Sequence, residues 1–91
     1  MGTNLMGELV ANNGTFIVNT YGDDINKTID AIVVLEDTIF EAIYIDNTPV
    51  TSDYISDTSK AIKAGAIITP LGDVQFGGVN LVSGSVALVL G

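Results

Sequence analysis

Carboxylates are the only plentiful reactive side chains in this chain of 91 residues. Its 11 Asp and Glu face three Lys, with no Arg, His or Cys, for a net charge of −8. Acid–base work on a glycosidic bond would need two carboxyls flanking a sugar-sized cleft, one of them held protonated. Glu36 and Glu41 stand near predicted strand ends, which is compatible with that role. The chain has no Trp or Arg to grip a sugar and little length to wall a cleft, so hydrolysis is not expected. Asp23-Asp24 after Gly22, and Asp53 with Asp57, are candidates for calcium. The alternating Asp and Asn ligands of an EF-hand loop are absent, and these carboxylates read as solvated loop charges.

Other chemistries fall by residue type. Nucleophilic triads need a His or Cys, and the usual zinc sites need the same ligands. Ser83-Gly84-Ser85 has misplaced glycines and no base, so it reads as a turn and not a nucleophile elbow. Lys60 and Lys63 form the only basic pair, and three cations cannot neutralise a run of phosphates, so no nucleic-acid partner is expected. Lys60 and Lys63 could meet an acidic surface on a partner, but read better as offsetting nearby Asp57. Asn13-Gly14-Thr15 and Asn26-Lys27-Thr28 match the glycosylation sequon, but the first is better explained as a turn. The chain is expected to be non-enzymatic and to carry no catalytic, cofactor or metal residues.

The elements around these residues read as β. Ile, Val and Thr make up 30 of the 91 residues. Asn13-Gly14, between Leu9-Val10-Ala11-Asn12 and Thr15-Phe16-Ile17-Val18, is a strong hairpin signal, because a type I′ turn needs positive φ at both central residues. Residues 29–35 predict a buried strand ending at Glu36-Asp37. Residues 38–45 predict another, covered on both faces, since Phe40, Ala42 and Tyr44 alternate with Ile39, Ile43 and Ile45. Asp46-Asn47-Thr48-Pro49 reads as a turn. Residues 51–59 read as the most exposed polar loop, and residues 60–65 as extended chain. Gly65, Gly72, Gly78, Gly84 and Gly91 recur every six or seven residues, bracketing short β segments at 66–69, 74–76, 79–82 and 86–90. That spacing suits ordinary turn glycines better than a solenoid.

Hydrophobic residues make up 47% of the chain against 15% charged, with a mean hydropathy of +0.48. No stretch reaches the roughly 20 apolar residues of a spanning helix, and the start lacks the basic region of a signal peptide, so no membrane partner is expected. The apolar excess is local: residues 74–91 contain no ionisable side chain. A monomer of this size buries only about 60–70% of its unfolded surface, so this run predicts assembly with further copies. Val79, Leu81, Val86, Leu88 and Leu90 are the candidate oligomer-interface residues.

The runs Leu35-Glu36-Asp37-Thr38-Ile39-Phe40, Ile62-Lys63-Ala64-Gly65-Ala66-Ile67-Ile68 and Gln75-Phe76-Gly77-Gly78-Val79-Asn80-Leu81-Val82-Ser83-Gly84-Ser85-Val86-Ala87 resemble segments of small structural proteins of tailed bacteriophages. The resemblance covers roughly residues 32–91. It implies a virion component of the head-decoration, head-fibre or tail-associated kind, often a trimer, with no catalytic residues to carry over. The apolar end Leu90-Gly91 departs from the more polar tail of those proteins. The expected fold is all-β, a small β-sandwich or β-prism of about seven short strands assembled as a homotrimer. One domain spans 1–91, with a hairpin and attachment segment over 1–28 and a β core over 29–91. The expected role is capsid or fibre decoration in the virion after synthesis in the host cytoplasm, with the major capsid protein as partner. A carbohydrate- or receptor-binding module contacting its ligand through residues 51–59, and a self-assembling β-protein without ligand, are the alternatives.

Overall fold

The computed structural model describes residues 14–91. Those residues form strands β1 (Thr15–Val18), β2 (Ile29–Ile45), β3 (Thr48–Pro49), β4 (Ile67–Ile68) and β5 (Gly78–Leu90), with one helical turn, α1 (Thr51–Tyr54), between β3 and β4. All five strands belong to one antiparallel sheet in the order β1-β5-β2-β3, with β4 also on β2. The all-β expectation is met, as the β-branched composition requires. The predicted strand Leu9-Val10-Ala11-Asn12 lies outside the described residues. Its partner is present as β1, preceded by Gly14 at φ 91°.

The strand count differs from the seven expected because two pairs of predicted strands are continuous. β2 runs through Glu36-Asp37, and β5 runs through Ser83-Gly84-Ser85, where turns were expected. Polar and glycine residues mark bulges here instead of chain reversals. The β2–β5 register shifts repeatedly between Val34 and Ala42. Gly84 sits at φ 92° opposite Thr38, and a Cβ on Gly84 would overlap Thr38 Oγ1 and the Asp37 carbonyl oxygen. Thr38 is fully buried, with its hydroxyl 2.7 Å from the Glu36 carbonyl oxygen and 3.2 Å from that of Ser85. It therefore ties both strands together at the bulge.

These bulges bend the ribbon strongly. A straight strand of 17 residues would span about 56 Å, yet the longest dimension of the molecule is 39 Å. Ile29 and Tyr44, at opposite ends of β2, reach consecutive residues: the Ile29 amide donates to the Phe76 carbonyl at 2.9 Å, and the Gly77 amide to the Tyr44 carbonyl at 2.7 Å. Both halves of the bent sheet thus contribute to one core. Ile29, Ile32 and Val34 from one half meet Phe40, Ile43 and Leu81 from the other, around fully buried Phe76. Because bulges interrupt the alternation, Phe40 and Ile43 join the same core although a regular strand would separate them.

Short segments complete the two edges. Along β5, residues 22–25 extend the line of β1, with the Gly22 amide bonded to the Leu81 carbonyl and Ile25 bridged to Val79. Along β2, Ile62 bridges Thr38, and the Val34 amide donates to the Ala66 carbonyl at 2.8 Å. Residues 60–65 are accordingly not helical. The polar stretch 51–59 is more ordered than a simple loop. It begins with α1, and Tyr54 stacks edge-on against Phe76 at 5.0 Å and 77°. The turn expected over residues 46–49 narrows to Asp46-Asn47, since Thr48 and Pro49 pair with β2 as β3; both turn residues are left-handed, Asp46 at φ 52° and Asn47 at φ 62°. That is the type I′ geometry, which suits Asp and Asn.

Candidate functional site

The predicted interface residues come together, but inside the chain. Val79, Leu81, Val86 and Leu88 are completely buried in the main core, and Leu90 packs partly buried against it. Packing within one chain accounts for their apolar character. Leu90 also donates its amide to the Gly14 carbonyl, and Gly91 to that of Thr28, so the charge-free run is hydrogen-bonded on both sides.

Opposite this core the sheet carries a second apolar surface. Ile17, Ala87, Val33 and Ile67 stand in one register row across β1, β5, β2 and β4. Paired residues share a sheet face, so their side chains form a continuous stripe. Its middle is buried, together with neighbouring Ala31 and Val89, while Ile17 and Ile67 at its ends are each 51% exposed. Leu35, 45% exposed, lies next along β2. The half-exposed isoleucines at the two ends are the part of this row still open to solvent.

The other half of the ribbon has polar chemistry. Asn80 pairs in register with Ala42 and is 8% exposed, between fully buried Val79 and Leu81. Its Nδ2 donates to Asp24 Oδ1 at 2.8 Å, and the Tyr44 hydroxyl donates to the same oxygen at 3.2 Å. Among the described residues, Asp24 Oδ2 accepts no hydrogen bond, and Asn80 Oδ1 is buried without a partner. Burial raises the Tyr44 hydroxyl pKa above its ordinary 10.0, and the negative Asp24 raises it further, so Tyr44 stays a donor at neutral pH.

Two small cavities flank the 46–47 turn. One, of about 280 Å³, is lined by Asp46, Gln75 and Phe76 among others, but the Gln75 amide is already committed to Asp30 at 2.6 Å. The second, of about 290 Å³, is lined by Asp24, Asn26, Tyr44 and Asn47. Nearby, Gly78 allows a close approach of the chain: a Cβ there would lie 2.9 Å from the Ile25 carbonyl oxygen and 3.2 Å from Asn26 Oδ1. Sequence reasoning missed this group, although Asn80 inside an otherwise aliphatic run was a visible signal. Nothing in the spacing of Asp24, Asn26 and Tyr44 indicated that they meet.

The remaining candidates are dispersed or engaged. Glu36 accepts from the Ser85 hydroxyl at 2.9 Å, and Glu41 is exposed at another part of β2. In the 51–59 loop, Thr51 Oγ1 accepts from the Ile43 amide, the Tyr54 hydroxyl accepts from the Leu71 amide, and Asp57 accepts from Ser59. Lys63 pairs with Asp37 at 3.3 Å and not with Asp57. Asp37 also accepts from the Ala64 amide, and that bond, then Lys63, holds its carboxyl below the ordinary 3.8. Among the described residues, no group of three or more His, Cys, Asp or Glu is placed to hold a metal ion, and no helix is long and apolar enough to cross a membrane. No family model, curated protein or solved structure matches this chain.

Proposed function

We propose that the chain is a non-enzymatic structural protein of a tailed-bacteriophage virion, a decoration or head-fibre component that works as a homotrimer and docks on the major capsid protein. The finer architecture is then a small prism in which each copy contributes one bent sheet. Support for the virion role is the resemblance of residues 32–91 to small phage structural proteins, together with the all-β fold. The observation that carries assembly is the stripe Ile17-Ala87-Val33-Ile67, free of charge across four strands in a chain of net charge −8. Burying a half-exposed isoleucine contributes about 1 kcal/mol at 25 cal/mol per Å² of apolar area, and symmetry repeats that gain in every copy.

Multi-angle light scattering of the purified chain tests assembly, with three times the 9.5 kDa subunit mass as the expected result. Ile17→Asp combined with Ile67→Asp is expected to release folded monomers. A dispersed wild-type monomer would overturn the assembly reading. Mass spectrometry of purified virions tests the location, and a decoration protein is expected there in many copies per particle.

A further inference from the structure

We infer that the cavity lined by Asp24, Asn26, Tyr44 and Asn47 binds a neutral saccharide. This site is separate from the apolar stripe, and the inference does not depend on the virion reading. It begins with Asn80, the one buried amide side chain in β5. Val or Ile would suit that position better by strand propensity, and the partnerless Oδ1 costs about as much as a lost hydrogen bond. What Asn80 provides is orientation. Its Nδ2 and the Tyr44 hydroxyl hold one oxygen of Asp24 from two directions. A flipped amide would put two oxygens 2.8 Å apart, so Asp24 also fixes the orientation of Asn80.

The result is a preorganised carboxylate with one oxygen uncommitted among the described residues. Beside it are the amides of Asn26 and Asn47, each able to donate and accept, and the Tyr44 hydroxyl. Hydroxyl pairs on a sugar ring need acceptors and donors side by side, which this lining supplies. The recess, of about 290 Å³, is open to solvent and at the small end of ligand pockets, so it would contact one edge of a single ring. Anionic ligands are disfavoured, because no cation lines the cavity and the chain carries −8. A divalent ion would find a single carboxylate where such sites use several.

The experiment is an NMR titration of the full chain, labelled with nitrogen-15, with the methyl glycosides of glucose, galactose, mannose and N-acetylglucosamine. At least one is expected to shift the amide signals of Asp24, Asn26, Tyr44 and Asn47, with a dissociation constant of roughly millimolar strength. Asp24→Asn, an exposed change that does not threaten folding, should weaken that binding about tenfold by removing a charge-assisted hydrogen bond. Asn80→Val tests positioning: it should weaken the saccharide comparably while leaving the fold at least as stable, which a purely structural role would not produce. The inference is overturned if none of the four glycosides moves those signals, or if Asp24→Asn binds as tightly as the wild type. It is equally overturned if calcium alone, without sugar, produces the same shifts.

Discussion

The two halves of the β2–β5 ribbon share their strands and their core but differ on their other faces. In the half built from residues 29–34 and 86–90, that face is aliphatic, with Ala31, Val33, Ala87 and Val89 buried between half-exposed Ile17 and Ile67. In the half built from residues 39–45 and 78–83, Asn80 and Tyr44 turn toward Asp24 and a polar cavity. The difference teaches that a β-ribbon can keep one continuous inner core while its outer chemistry changes at a bulge. Alternation along a strand sets the two faces independently, and a bulge resets which residues belong to which face. One half leaves aliphatic side chains half-exposed, and the other gathers hydrogen-bonding groups around an open recess.

Disturbing the bulge that separates the halves has the largest expected effect. Gly84→Ala forces an L side chain into φ 92° and into contact with Thr38 and the Asp37 carbonyl. Backbone strain and overpacking each contribute about 1–3 kcal/mol, so a loss of about 3–5 kcal/mol is expected by urea unfolding. Because both halves feed one core, the loss should appear as a single cooperative transition. Retention of wild-type stability would show that the bulge is not the shared support.

A smaller effect of opposite sign sharpens the contrast. Asn80→Val removes a buried unpaired acceptor and improves strand propensity, so stability should rise by about 1 kcal/mol. The oligomeric state, proposed to depend on the aliphatic half, should be unchanged, read by light scattering on the same samples. Destabilisation would mean that the polar half needs Asn80 for its fold.

The smallest effect is at Asp37, near the boundary. Its pKa is held below 3.8 in the folded chain, so its stabilising contribution is present above the unfolded value and disappears as pH falls through the lower, folded one. The carboxylate is exposed and the effect is correspondingly slight. Asp37→Asn should unfold at nearly the same urea concentration as the wild type in acid and at a slightly lower one at neutral pH. Equal midpoints at both pH values would remove this linkage.

By itself the sequence determined the material of the fold: its β-branched content required strands, and it offers no His or Cys for a nucleophilic triad or the usual zinc sites. The charge-free C-terminal run was equally legible, as was the type of residue at the 46–47 turn. Tertiary structure decided where each of these is used. Glu36-Asp37 and Ser83-Gly84-Ser85 look like turns locally, and only pairing across 47 residues, Thr38 to Ser85, makes them bulges in two long strands. The same pairing placed Val79, Leu81, Val86 and Leu88 inside the chain, so the apolar run read as an outer surface became the core. Asp24, Tyr44 and Asn80 meet across as many as 56 residues. Contacts so distant leave no periodic trace in the sequence, because they arise only once the bend has brought the strands together.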